Sequence, residues 1–350
     1  MNQLLIGVIL AQIGTPDAPT AKAVRPYLRR FLSDRRIIDY PPMLWQPLLR
    51  GIILRVRPRK SAALYSAVWH KDGSPLLLYS LALQSRLQEL LGSRFRVELG
   101  LAYSQPGMEQ AMASLEAAGV QRIIVVPLFP QYSSTTTASV YDAACFAALG
   151  RKSASGPVTK RFVPALRFID SYYDAPGYIS AMKQHLLRHL QALTAKPDFA
   201  VLSFHGIPRR YAETGDPYPE QCHETARLLA EAMNWEPGSW QISFQSRFGR
   251  EEWVGPSTEE VLKSLAGRGV RRPMIFSPGL VTDCLETLHE LAVEGRDYYV
   301  SGGGAAENFL AVPCLNDSAE WLDFLAGLVN DHARGWLPAA VDPPMPENRT

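Results

Sequence analysis

Cysteine is scarce in this chain, and an excess of one charge is missing altogether. Only four cysteines occur among 350 residues, at positions 145, 222, 284 and 314, and none form a C-x-x-C pair. That spacing argues against a disulfide framework or a zinc ribbon and fits a reducing compartment. Thirty-six basic residues face 34 acidic ones, for a net charge of +2, so no electrostatic reason exists to expect a nucleic-acid partner. No apolar run reaches transmembrane length. The apolar opening MNQLLIGVILAQIGTPD has no Lys or Arg ahead of it, so it lacks the charged region of a signal peptide and reads as a buried strand. The phosphate-binding patterns G-x-x-x-x-G-K-[ST] and G-x-G-x-x-G are also missing. GGGAA at Gly302 is merely glycine-rich, which leaves a nucleotide-dependent dehydrogenase without support.

What is present is ample apolar residue, 47% of the chain, arranged as apolar strands alternating with helical segments. This is the pattern of an α/β protein with parallel sheets. Strands are expected at 4–13, 96–102, 122–129, 161–166, 199–204, 240–244, 272–277 and 311–315. Helices are expected at 80–91, 108–118, 173–195, 222–233, 258–267 and 319–329. The elements fall into two similar series: ILAQIGTP (9–16) parallels VLSFHGIP (201–208), and AGVQRIIVVPLFP (118–130) parallels RGVRRPMIFSPG (268–279). A third pair, FVPALRFIDS and FLAVPCLNDS, follows in the same order. The expectation is an internal duplication with two Rossmann-like halves, 1–165 and 166–330, and a Pro-rich tail, 331–350, disordered in part. Ligands of such sheets bind at the carboxyl ends of strands and in clefts between halves.

Four residue groups stand at such ends. Asp283, Glu286, Glu290 and Glu294 are spaced three, four and four apart, one stripe on a helix, with no Lys or Arg between Pro278 and Glu294. They form either the solvated side of an amphipathic helix whose other face is Val281, Leu285, Leu288 and Ala292, or a ladder for a divalent cation or protons. His205 follows an apolar strand and precedes Gly206 and Pro208, which permit a sharp turn. It reads equally as a hydrogen-bonded core residue and as a presented ligand. Aligning the two halves sets Ile13 against His205, an apolar wall opposite a polar one. FQSRFGREEW (244–253), with Arg247 and Trp253, and the hydroxyl run QYSSTTTAS (131–139), with Ser133 and Thr135, have the rings, cation and hydroxyls that a flat aromatic acid requires. Finally, DYPPMLWQPLLRGIILRVRPRK (39–60) is either a core helix with exposed arginines or an apolar lip touching a membrane surface.

The ordered set GTPD, GSPL, PQYSSTTTAS, SFHGIP, GDPYPEQC, FQSRFGREEW, DCLETL and PCLNDS resembles the ferrochelatases over about 4–329. The resemblance implies two Rossmann-like domains with protoporphyrin IX in the cleft between them and Fe²⁺ as co-substrate. It implies a metal-site and catalytic pair at His205 and Glu286, and a proton or metal path through Asp283, Glu290 and Glu294 on a helix with π-type turns. Porphyrin contacts are implied at Ile13, Tyr103, Ser133, Thr135, Arg247 and Trp253. No tightly bound cofactor is expected. The cysteine cluster that holds an iron–sulfur centre in animal relatives is absent, and Ser134 stands near its remaining ligand. The chain departs from the family at Ala102, where several relatives have Arg, and at Gln12, where Asn is common. A cytoplasmic monomer is expected, peripheral at the inner face of the membrane. The alternatives are a coproporphyrin III ferrochelatase and a non-catalytic porphyrin or iron carrier.

Overall fold

The computed structural model describes residues 5–151, 157, 159–247, 249 and 251–336. The first residue of the expected opening strand and most of the Pro-rich tail, 337–350, lie outside the described residues. The first sheet contains β1 (Ile6–Gln12), β2 (Phe95–Leu101), β3 (Arg122–Pro127) and β4 (Ala165–Phe168), all parallel, in the order β2-β1-β3-β4. The second contains β5 (Phe199–His205), β6 (Trp240–Gln245), β7 (Pro273–Phe276) and β8 (Leu310–Ala311), also parallel, in the order β6-β5-β7-β8. The two orders are the same, and the motifs paired in the sequence occupy corresponding places. ILAQIGTP and VLSFHGIP run through the two second-place strands, β1 and β5, and AGVQRIIVVPLFP and RGVRRPMIFSPG through the two third-place strands.

The strands with neighbours on both sides are buried along their length: β1 is buried at all seven positions, and β5 at all but its last, His205. Strands covered by helices on both faces must be apolar throughout, which is why they read as continuous apolar runs. The edge strands β4 and β8 are short and half-exposed. β4 begins four residues after its expected start and β8 ends four residues before its expected end, whereas the longer edge strands β2 and β6 lie within a residue of expectation.

Helix Met108–Ala117 and helix Thr137–Leu149 cover one face of the first sheet through Met108, Leu115, Val140 and Ala144. The other face joins a core that is continuous with the second sheet: Val8, Leu10 and Ile124 belong to the same buried cluster as Phe204, Phe276 and Trp321. The last helix, Ala319–His332, packs against helix Pro75–Leu91 and β3, so an element that follows the second sheet seals the first. A further pack of helices, Ala21–Phe31 with 42–68, is built around Val24, Tyr27, Trp45, Leu49 and Leu54. The core-helix alternative for 39–60 agrees with this pack, whereas the helix Ala21–Phe31, with Pro26 inside it, had no counterpart among the expected helices. The stretch Leu49–Ile53 is π-helical. Within this pack Trp45 and Leu49 are buried, as a core helix requires, while Met43 (88% exposed), Leu44 (72%) and Ile52 face outward. Among the described residues, no helix is long and apolar enough to cross a membrane.

Candidate active site

His205 is the final residue of β5, opposite Gln245 of β6. Its Nδ1 lies 2.7 Å from the Gly206 carbonyl oxygen. A carbonyl only accepts, so Nδ1 carries the proton and the lone pair stands on Nε2. A Cβ on Gly206 would come within 2.9 Å of the Gln245 carbonyl and 3.1 Å of the Trp253 ring. The close turn therefore needs glycine, and it lets Trp253 pack beside the imidazole-bearing loop. Arg247 and Trp253, with Gly206 and Glu260, line a cavity of about 250 Å³ beside that loop. It falls short of the ~300–1,000 Å³ of small-molecule pockets, so it is an annex of the His205 loop and not a macrocycle pocket.

Next to β5 lies β7, whose chain continues through 277–285 to a π-helical segment, Glu286–Glu294. The acidic series divides here. Glu286, Glu290 and Glu294 are on the helix, whereas Asp283 precedes it and is buried, accepting hydrogen bonds from Thr287 Oγ1 (3.0 Å), the Cys314 amide (3.1 Å) and Asn316 Nδ2 (2.7 Å). The expected stripe of four acids is thus three. Its buried side within the segment is Thr287 and Leu291, where α-helical spacing had indicated Leu285, Leu288 and Ala292, because π winding rotates the faces.

Glu286 is close enough to the first half to act on it electrostatically. Its charge raises the proton affinity of Tyr27 and Tyr65, two hydrogen-bonded tyrosines already pushed up by burial. Cys284, beside Glu286, is raised for the same two reasons, burial first. Helix Leu54–Val68 packs directly on the π segment. Glu290 is the most perturbed carboxyl: burial first, then the neighbouring charge of Glu286, raise it to about 7 from 4.5. The Ser246 hydroxyl, which donates to Glu290 Oε2, and the Arg57 charge act in the opposite sense. Glu294 Oε1 is 3.4 Å from His289 Nδ1. Glu286, Glu290 and Glu294 thus form a row of carboxylates along one segment.

The facing wall is apolar and aromatic. Ile13 and Tyr103 belong to the same cluster as Tyr27 and Tyr65. Tyr103 donates its hydroxyl to Asp34, accepts Arg30 Nε on its carbonyl oxygen, and meets Phe31 edge-on at 5.4 Å. Gln12 turns its amide oxygen back onto the Ile13 amide at 2.9 Å.

The hydroxyl run is committed elsewhere. Buried Asp216, from the GDPYPEQC motif, accepts from Ser133 Oγ (3.0 Å) and from the Ser134 amide and hydroxyl (2.7 Å each). Thr135 Oγ1 is 3.0 Å from Ser133 Oγ. Ser133 and Thr135 thus sit in a joint between the halves, which Tyr132 and Gln131 extend onto Gln221 and Thr225. Sequence reasoning missed Tyr27, Tyr65, Arg57, Ser246 and Asp216. For Ser246 the only local sign is its left-handed backbone, φ +66°, which no sequence pattern announces. Among the described residues, no group of three or more His, Cys, Asp or Glu side chains is arranged to hold a metal ion.

Comparison with known proteins agrees with this architecture. The profile of the ferrochelatase family matches residues 5–333. Ferrochelatase 1 of Shewanella oneidensis is 44% identical over 337 residues, covering 95% of this chain and 97% of that protein. The ferrochelatase of Yersinia enterocolitica is 45% identical over 332 residues, covering 95% and 99%. Among solved structures, SirB from Bacillus subtilis with Fe³⁺ superposes with a TM-score of 0.55 at 12% identity, over 95% of this chain and 96% of that one, a likeness of fold alone. With both its sequence profile and its full-length relatives in agreement, the chain belongs to the ferrochelatase family of metal-inserting enzymes.

Proposed function

We propose that the protein inserts Fe²⁺ into protoporphyrin IX to form protohaem, releasing two protons. One observation carries the reading: the imidazole at the end of β5 and the carboxylate reached from neighbouring β7 rise from the same edge of one sheet, and Glu286 opposes a tyrosine-lined wall. Insertion requires that the macrocycle be bent, that its two pyrrole N–H protons leave, and that the ion shed water. The partly buried Ile13 and Tyr65, backed by the buried Tyr27 and Tyr103, would meet the macrocycle, with Trp253 beside the His205 loop. The Nε2 lone pair of His205 and the Glu286 carboxylate are the two bases at the reacting centre, and they also bind the ion in transit. Glu290, with its affinity near neutrality, takes up protons from Glu286 and passes them to Glu294 and solvent.

The dipropionate substrate is favoured over coproporphyrin III because four propionates would need more cations than this apolar wall offers. Comparing turnover of the two porphyrins decides between them. The exposed Met43, Leu44 and Ile52, flanked by Arg50 and Arg55, would rest on an anionic membrane surface and shorten the path of the apolar substrate. The deciding test is anaerobic haem formation by wild type, His205→Ala and Glu286→Gln. Both variants are expected to fold and to lose most turnover. Near-normal rates in both would refute the assignment, and haem no faster than the uncatalysed control with wild type would leave a carrier.

A further inference from the structure

The acid nearest the start of the ladder behaves unlike the others. Asp283 is 3% exposed and lies on the loop after β7; Asn316 is 9% exposed and lies on the loop after β8. The two are joined reciprocally. Asn316 Nδ2 donates to Asp283 Oδ2 at 2.7 Å, and the Asp283 amide donates to Asn316 Oδ1 at 2.8 Å. The Asn316 amide also donates to the Val281 carbonyl at 2.8 Å, and its backbone is left-handed at φ +53°, a conformation asparagine tolerates. The remaining oxygen of Asp283, Oδ1, accepts from the Cys314 amide and from Thr287 Oγ1, while Thr287 Oγ1 accepts from the Cys284 amide at 3.0 Å. Glu286 therefore stands between two residues, Asp283 and Thr287, that are pinned to each other and to a separate loop.

We propose that Asp283 and Asn316 are a positioning pair that fixes Glu286 at the head of the π segment, and that Asp283 is not a stage of the proton or cation path. The carboxylate receives three donors, so its charge is spent on holding two loops together. A path member must instead exchange partners during each turnover. The inference rests on the reading of Glu286 given above.

The pair can be inverted, which separates geometry from charge. In Asp283→Asn, an amide NH₂ must face either the Asn316 NH₂ or the donors from Cys314 and Thr287. In Asn316→Asp, two carboxylates meet in a buried site. Each single change is expected to lower kcat by about 10- to 100-fold through misplacement of Glu286, with KM for porphyrin little changed. When Asp283→Asn is combined with Asn316→Asp, the side-chain NH₂ introduced at position 283 donates to the carboxylate introduced at position 316. The backbone amide of position 283 again donates to that carboxylate, and an oxygen still faces Cys314 and Thr287. The double variant is expected to recover to within about threefold of wild type, a coupling that independent sites do not produce. A double variant as slow as Asp283→Asn, with its thermal midpoint restored, would overturn the proposal, because the carboxylate itself would then be required at 283. Wild-type kcat in Asp283→Asn alone would also overturn it. Thr287→Val leaves the carboxylate in place and removes one tie. It is expected to slow kcat by about fivefold or more, and an unchanged rate would count against the clamp whether or not the other variants fold. Glu286→Gln, run alongside, keeps the two readings apart: if it turns over normally, the assignment of Glu286 fails, and not the clamp.

Discussion

Replacing Glu290 by Gln tests whether the ladder is as buried as its geometry indicates. The carboxyl is raised to about 7 from 4.5, first by burial and then by the charge of Glu286, against the opposing Ser246 hydroxyl and Arg57. A group whose folded-state pKa is raised binds its proton more tightly folded than unfolded. Its favourable contribution is therefore fully present below pH 4.5 and is lost as pH climbs through 7. At 1.36 kcal/mol per pH unit, a rise from 4.5 to about 7 corresponds to about 3 kcal/mol of stability forfeited at pH 8. Glutamine fits the same space, still accepts from Ser246, and never ionises. Glu290→Gln is thus expected to match wild type near pH 4.5 and to exceed it by about 3 kcal/mol at pH 8, with the gap opening between those limits. Urea denaturation of both proteins across pH 4.5–8 measures it directly, and haem formation should fall in the same variant. A pH-independent difference between the two proteins, or a less stable variant at pH 8, would refute the argument that Glu290 is forced toward its neutral form.

Other perturbations probe the parts that surround the cleft. Asp216→Asn should destabilise the protein by about 2–3 kcal/mol, since a buried carboxylate with three donors on one oxygen becomes an amide that must present NH₂ to some of them; equilibrium unfolding reads this out. Gly14→Ala should cost about 2 kcal/mol or more, because its φ of +106° is left-handed and the new Cβ would collide with Ser104 Oγ; the thermal midpoint and the expression yield report it. Met43→Glu with Leu44→Glu should leave unfolding within about 0.5 kcal/mol of wild type, since both side chains are exposed, while abolishing co-sedimentation with phosphatidylglycerol vesicles. Equal vesicle binding by both proteins would count against the lip as a membrane contact.

The readable parts of the fold are those under the strictest physical demand. β1, β3, β5 and β7 lie inside their sheets, so their runs are apolar on both faces and were located to within a few residues. The edge strands β2 and β6 are six or seven residues long and were placed to within a residue, whereas the short β4 and β8 were misjudged at one end. The helix Ala21–Phe31 was missed because Pro26 lowers helix propensity locally, whereas packing of Tyr27 with Trp45 and Leu49 in one cluster restores it. The hydroxyl run illustrates the same limit from the side of function. Ser133 and Thr135 have the chemistry to hold an acid, and nothing nearby in the chain reveals that Asp216, more than eighty residues on, already occupies Ser133.

What the sequence determined alone was local and periodic: a doubled α/β pattern, one strand that ends at Ile13 and one that His205 follows, and a run of acids after the strand that became β7. Spacing along a chain constrains which groups share a face, because backbone geometry repeats regularly over a few residues. Only the tertiary structure decided which acids share the π-helical segment and which is tied down. It removed Asp283 from the row, set Glu286 against Tyr27 and Tyr65, and pushed Glu290 toward neutrality, by burial first and then by the charge of Glu286, against Ser246 and Arg57 from two distant segments. Burial and Coulomb interaction depend on what surrounds a group in space, and those surroundings come from residues that the chain brings together only by folding.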